Sequence, residues 1–287
     1  MTVLRLAAGD AEVLLAPDRG GAVLAWRIGG QDMLRPAPRA ARDPLAMASF
    51  PLVPYANRIA NGRFAFGGRD YRLPRNFGDH PHSLHGLGWL SGWDVQAAAS
   101  HSATLCHRHP GRGAWPWPYS ATQRIELTGE ALAIDLAVRN DAAGTAPIGL
   151  GLHPYFPVSQ ATRMQFDAAR LWLSEPPDHL PQALAPAGRL GDWSGGAAAM
   201  GTILIDHYYA GWTGVATLRR DARTRLTLTA TGARGLHVYR PPDAGFLCLE
   251  PVSHMPDAIN RPEGMDELEP GQSRTLAMTI ARTIDEE

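Results

Sequence analysis

A carboxylate that continues an apolar row is the sharpest chemical signal in this chain. In GFLCLEP, period-two alternation sends Phe246, Cys248 and Glu250 to one side and Leu247 and Leu249 to the other, so Glu250 occupies a position that sequence pattern reserves for an apolar group. Burial raises a carboxyl pKa above its reference of about 4.3, which makes Glu250 a candidate general base near neutral pH. His153 lies in PIGLGLHPYFPV, among small and apolar neighbours with Pro154 behind it. An enclosed imidazole is a candidate proton donor, because histidine titrates near pH 6.5 and is the commonest acid or base. Asp206 in TILIDHYYAGW shares the character of Glu250: Ile203 and Ile205 fall on one face, Leu204 and Asp206 on the other. Each of these three also has an ordinary reading, as a strand-end acid turned to solvent or a histidine satisfied by structural hydrogen bonds.

Two looser clusters accompany them. His80, His82 and His85 in DHPHSLHGLGW could supply three neutral imidazoles to a metal, although the spacing matches no recognised cage. Trp89, Trp93, Trp115, Trp117 and Tyr119 could stack on the C–H face of a sugar or fill the interior.

The elements that must carry these residues are strands. In SATQRIELTGEALAIDLAVRN, Ile125 and Leu127 precede a turn at Gly129-Glu130, and Leu132, Ile134, Leu136 and Val138 follow on one face, which predicts a hairpin with one apolar side. Phe64–Phe66 with Asp70–Leu73 across Gly67-Gly68, and VATLRRDARTRLTLTATG, predict two more. Further strands are expected at Gly21–Ile28, Trp93–Ala99, Thr202–Tyr209, Leu236–Arg240, Phe246–Glu250 and Thr275–Thr283. Long 3.6-period stripes are scarce. The fold class is therefore all-β, a large antiparallel β-sandwich, and residues 1–287 show no linker, repeat or boundary and so predict a single domain. Four longer stretches rich in Pro, Gly and aromatics, Arg35–Asn57, Pro74–Leu90, His107–Trp117 and Glu175–Ala199, are expected to be irregular and functional.

Composition narrows the chemistry. The chain has 287 residues, 45% of them hydrophobic, with 30 Gly and 24 Pro, which is loop-rich but folded. Every one of the 27 basic residues is arginine, so no lysine Schiff base can form and no P-loop lysine exists. A net charge of −1 argues against nucleic acid or an anionic membrane as partner. Cys106 and Cys248 could form at most one disulfide and are expected to be reduced and interior. The N-terminal segment has no signal-peptide pattern and no 18-residue apolar run occurs, so a cytoplasmic location is expected.

In order along the chain, PYANRIANGRF, HSLHGLGW, GLHPYF, LIDHYY and FLCLEP resemble the motif series of the aldose 1-epimerases, or galactose mutarotases, from about Leu52 to Pro251. The resemblance implies a β-supersandwich and an isomerase that interconverts the α and β anomers of an aldose by opening and closing its ring. It further implies Glu250 as general base, His153 as general acid, and Arg58, His85 and Asp206 as substrate-binding residues, with no cofactor and no metal. Where galactose-type members carry Asn before the second histidine and Gly-Gly after the first, this chain has Leu152 before His153 and Gly86-Leu87 after His85. That pattern is similar to the broader bacterial branch, and with Arg72 and Arg75 nearby it leaves an anionic substrate, a sugar phosphate or sulfonated sugar, open beside a neutral one. Three other readings share these residues: a non-catalytic carbohydrate-binding module, a glycoside hydrolase using Asp206 and Glu250 as its carboxylate pair, and a metal-dependent isomerase built on the histidine cluster. The mutarotase reading has one requirement, that Glu250 and His153 converge to flank one sugar ring.

Overall fold

The computed structural model describes residues 2–285. Two large sheets carry most of the chain. In the first, the Pro118–Leu127 and Ala131–Asn140 hairpin is flanked by Ser102–Pro110 and Ser273–Ile284, followed by Thr224–Thr231 and Val215–Arg219. In the second, the order runs Leu180–Pro186, Arg170–Glu175, Ile205–Ala210, Gly235–Arg240, Phe246–Val252, Gly151–Leu152 and Pro51–Leu52, with Tyr155–Pro157 also pairing with Phe246–Val252. All ladders between these strands are antiparallel. The expected hairpins form with their turns in place: Ile125 pairs with Ile134, Phe66 with Arg69, and Arg219 with Arg225.

Alternation explains why the sheets pack. Ile125, Leu132, Ile134, Leu136, Val138, Met278 and Ile280 from the first sheet and Leu236, Val238, Leu247 and Leu249 from the second all lie in one buried apolar cluster. Each is at most 2% exposed, which is what apolar faces turned toward each other require. The opposite face of the second sheet carries different residues, and the site is built there.

Several expectations need correction. The N-terminal segment is a hairpin, Leu4–Ala8 with Ala11–Ala16, which buries Leu6, Val13 and Leu15. The His107–Trp117 stretch starts as strand, since Ser102–Pro110 runs into it with apolar and polar residues alternating through His107. Glu175–Ala199 contains the Leu180–Pro186 strand, whose two prolines are accommodated because it is a sheet edge with one unpaired side. The strand bearing Asp206 begins at Ile205 and not at Thr202, and Ile203, assigned by pattern to its apolar face, is 65% exposed. Both cysteines are unpaired; Cys248 is buried, but Cys106 is only half-buried. Among the described residues no helix is long and apolar enough to cross a membrane.

Candidate active site

Three neighbouring strands of the second sheet supply one wall of the site. His237 stands in register opposite Glu250, and Tyr239 opposite both Asp206 and Cys248, so period-two alternation sends Asp206, His237, Tyr239 and Glu250 to the same face. Backbone pairing within the sheet fixes their spacing. The Tyr155–Pro157 segment, hydrogen-bonded to the Glu250 strand, brings His153 and Tyr155 beside them. Loops from the front complete a cavity of about 210 Å³ lined by these residues and by Leu45, Asn57, Arg58, Phe77, His80, Leu84 and His85. That size is below the roughly 300–1,000 Å³ of drug-sized sites and suits one small polar molecule.

Glu250, His153, Arg58, His85 and Asp206, the five residues singled out in the sequence, all line this cavity. Glu250 and His153 do not stand apart across a ring's width; they touch, with His153 Nε2 3.3 Å from Glu250 Oε1. Both are almost fully enclosed, with side-chain exposures of 6% and 2%. Burial, reinforced by the nearby negative charge of Asp206, pushes the Glu250 carboxyl well above its ordinary range. Burial and the neighbouring His237 push the His153 imidazole down to about 3. The pair therefore favours its uncharged arrangement, a protonated carboxyl against a neutral imidazole. The imidazole packs against Phe50 at 4.6 Å and Tyr155 at 4.7 Å between centroids, rings that also touch each other at 6.2 Å.

Asp206 behaves oppositely. Burial opposes its ionisation, but Arg58 and His237 outweigh that cost and hold the carboxyl well below the usual range. Its Oδ2 accepts from Arg58 Nη2 at 2.8 Å, and its Oδ1 lies 2.7 Å from His237 Nε2. Asn57 ties in, with its Oδ1 accepting from Arg58 Nη1 at 3.1 Å and its Nδ2 3.3 Å from His237 Nε2. Both oxygens of Asp206 are thus engaged and its carboxyl is held ionised, so it can still accept from a hydroxyl but has no proton to give as the acid of a hydrolase pair.

His85 is fixed by a reciprocal backbone lock. Asn57 N–H donates to His85 Nδ1 at 3.0 Å and His85 N–H donates to the Asn57 carbonyl at 2.9 Å. Accepting at Nδ1 places the ring hydrogen of neutral His85 on Nε2, and burial keeps the ring neutral by pushing its pKa well down. Both residues adopt the left-handed region, φ 57° and 55°, and Gly86 follows at 69°. A Cβ on Gly86 would lie 2.2 Å from the Val53 carbonyl oxygen, so only glycine lets the two loops approach this closely.

The histidine cluster does not form a metal cage. His82 Nδ1 accepts from Asn61 N–H at 3.0 Å while its Nε2 lies 3.1 Å from the Asp178 carbonyl oxygen, and His80 Nδ1 accepts from His82 N–H. With His85 Nδ1 also taken, the three rings have no convergent lone pairs. Among the described residues, the donor atoms of His153, Cys248 and Glu250 do lie within 4.8 Å of one another. A cation there would need an ionised thiol and carboxylate, and burial pushes both groups toward their protonated forms. The aromatic cluster belongs to the interior: Trp89, Trp93, Trp115, Trp117 and Tyr119 are all buried. Arg72 and Arg75 are exposed and do not line the cavity.

Sequence reasoning missed His237, Asn57 and Tyr155. The signal for His237 was present, because GLHVYR interrupts an apolar strand with a histidine just as FLCLEP does with a glutamate.

Comparison with known proteins follows the same outline. Residues 2–281 match the family model described as aldose 1-epimerase. An uncharacterized Escherichia coli (strain K12) protein, YphB, is 33% identical over 301 residues, covering 98% of each chain. Galactose mutarotase of Mus musculus is 26% identical over 247 residues, covering 72% of this chain and 70% of its own length. The crystal structure of a candidate aldose 1-epimerase from Escherichia coli K12 superposes with a TM-score of 0.91 at 30% identity, covering 99% of both chains. With its sandwich, its buried histidine–glutamate contact and a family match spanning residues 2–281, this chain belongs to the aldose 1-epimerase family.

Proposed function

We propose that this protein is a mutarotase: it catalyses exchange between the α and β anomers of a neutral aldose, with Glu250 as base and His153 as acid. The contact between His153 Nε2 and Glu250 Oε1 carries the reading. The two oxygens that exchange protons during ring opening, O1 and O5, are bonded to the same carbon, so the groups that serve them must sit side by side.

The step balances as follows. The pair holds one proton, and the step runs through its minor form, in which that proton has moved from Glu250 to His153 across their 3.3 Å contact to give carboxylate and imidazolium. Glu250 takes the proton from the O1 hydroxyl, C1=O1 forms, the C1–O5 bond breaks, and His153 delivers its proton to O5. After rotation about C1–C2, O5 attacks the other face of the aldehyde, returns its proton to His153, and Glu250 protonates O1. Charge is conserved and no electron is transferred, so the reaction calls for no cofactor. Ring opening discharges a buried ion pair into two neutral groups, and the desolvation that disfavours the ion pair thereby assists bond breaking.

Arg58, Asp206 and the Nε2–H of His85 serve as hydroxyl partners. The cationic side chain on the cavity wall, Arg58, is neutralised by Asp206, which favours an uncharged sugar over a phosphate or sulfonate. A binding module would gain nothing from two buried groups sharing one proton. The test is two-dimensional NMR exchange between the α and β signals of a panel of neutral and anionic aldoses. Exchange above the buffer rate for at least one neutral aldose is expected; buffer rates throughout would overturn the reading, and acceleration confined to anionic aldoses would reassign the substrate.

A further inference from the structure

Among the described residues, Phe77 is the one phenylalanine, tyrosine or tryptophan that is exposed, at 37%, and it stands on the cavity. Three residues on, His80 lines the same cavity. A turn ties the two together: His80 N–H donates to the Phe77 carbonyl at 3.0 Å, with Gly78 in the left-handed region at φ 48°. Asn76 rivets this turn to the His85 loop, its Nδ2 donating to the carbonyls of Leu84 at 2.6 Å and Gly86 at 3.0 Å and its Oδ1 accepting from Leu84 N–H at 2.7 Å. His80 Nδ1 accepts from His82 N–H at 3.2 Å, so the neutral ring carries its hydrogen on Nε2, which has no partner among the described residues. Unlike the orphan ring nitrogens of His153 and His237, that Nε2 is not sealed in. An aromatic ring and a free N–H donor are thus held side by side at a polar cavity, and nothing in the packing of the fold calls for either.

Sheet register says which part of a sugar they meet. Asp206 and Glu250 stand two strands apart, about 10 Å across the sheet. That is the span of one pyranose with a hydrogen bond at each end. Glu250 and His153 serve C1, so Asp206 and its partner Arg58 face the opposite edge of the ring, C3 and C4. His80 belongs to this second end: Arg58 and His179 are among the groups that act on its ring, and His179 Nδ1 lies 3.8 Å from Asp206 Oδ2.

We propose that the Phe77–His80 turn sets sugar specificity: Phe77 packs on a C–H face of the ring, and His80 Nε2–H donates to the hydroxyl at C3 or C4. The inference rests on the mutarotase reading above. A pyranose carries apolar C–H groups on its faces and hydroxyls around its rim, and an aromatic ring beside an N–H donor is the complement of that pattern. Both contacts are remote from the bonds that change, so they hold the closed sugar and the transition state equally and act on KM rather than kcat.

The experiment measures anomer exchange by NMR over a range of concentrations of D-glucose, D-galactose and their 3-deoxy and 4-deoxy derivatives, for wild type, Phe77→Ala, His80→Asn and His80→Gln. Asparagine keeps an oxygen near the Nδ1 position for the His82 amide but withdraws the donor; glutamine extends an amide N–H toward the Nε2 position and gives up the bond within the loop. Phe77→Ala and His80→Asn are each expected to raise KM roughly three- to tenfold, with kcat changed less than twofold. His80→Gln is expected to recover most of the His80→Asn loss. On the deoxy sugar that lacks the partner hydroxyl, wild type and His80→Asn should share one KM. An unchanged KM in Phe77→Ala or His80→Asn, a fall in kcat at constant KM, or a His80→Asn penalty that persists on both deoxy sugars would overturn the proposal. Absence of exchange in wild type would instead count against the mutarotase reading itself, so the two failures are distinguishable.

Discussion

The two large sheets obey the same alternation rule and put it to different use. In the Pro118–Leu127 and Ala131–Asn140 hairpin the inner face carries Ile125, Leu127, Leu132, Ile134, Leu136 and Val138, all at most 2% exposed, and its two buried amides are closed by the protein itself: Gln123 Nε2 donates to the Gly21 carbonyl and Asn140 Nδ2 to the Leu268 carbonyl. In the strands at Ile205–Ala210, Gly235–Arg240 and Phe246–Val252, the face that carries the cavity breaks that rule at Asp206, His237 and Glu250, each no more than 6% exposed. There, Glu250 Oε2, His153 Nδ1 and His237 Nδ1 are buried without a hydrogen-bond partner in the protein. Such orphans are costly, and they are tolerated where a ligand completes them. Apart from Tyr119 Oη, the hairpin closes its buried polar groups within the protein, whereas the cavity strands leave theirs on residues that line a pocket.

The largest expected contrast comes from one substitution in each sheet. Glu250→Gln or His153→Asn should lower the exchange rate by roughly 10²–10⁴-fold while sugar binding persists, read by NMR exchange and by titration calorimetry. Because Glu250→Gln replaces a buried carboxyl by a neutral group of similar shape, it should not lower Tm. Ile134→Ala should do the reverse, costing about 2–5 kcal/mol in denaturant unfolding and leaving the exchange rate of the folded fraction unchanged. A large activity loss in Ile134→Ala, or a large Tm loss in Glu250→Gln, would erase the distinction.

A medium effect is expected from pH. His85 and His153, with its pKa near 3, and His254, pushed by burial to about 4, all bind protons more weakly folded than unfolded. Their contribution to stability is complete above about pH 6.5 and is lost progressively as pH falls toward 4. Glu250 has the opposite sign: its raised pKa makes folding less favourable as pH rises above about 4.3. The gain in Tm between pH 4.5 and 7 should therefore be larger in Glu250→Gln than in wild type, and an equal gain would show that the carboxyl is not held protonated. The smallest effect belongs to the surface of the hairpin sheet. Arg282 pairs with the exposed Glu130 through two hydrogen bonds of 2.7 and 2.8 Å, and Glu130→Gln should cost under about 1 kcal/mol and change no rate.

What could be read in the sequence follows from these two uses. The hairpins were legible because their period-two pattern and glycine turns are local. Glu250 and Asp206 were legible because a charge in an apolar row is a local contradiction. His237 offered the same contradiction within GLHVYR, but histidine is tolerated in interiors and drew no attention beside a strand assignment. Phe50 lay beyond reach for a different reason: it sits in a largely irregular stretch, and its contact with His153 depends on where that loop crosses the sheet. Prolines in Leu180–Pro186 concealed a strand that only its edge position permits.

The backbone lock on His85 has a consequence for recognition. With one ring nitrogen occupied by the Asn57 amide, the imidazole faces the cavity solely as a donor and cannot exchange roles by flipping or changing tautomer. It reads an oxygen by its lone pair and is blind to that oxygen's hydrogen. On the mutarotase reading, an epimer whose hydroxyl points elsewhere would leave this donor without an acceptor, and stereochemical discrimination at one ring carbon would trace to a pair of main-chain amides.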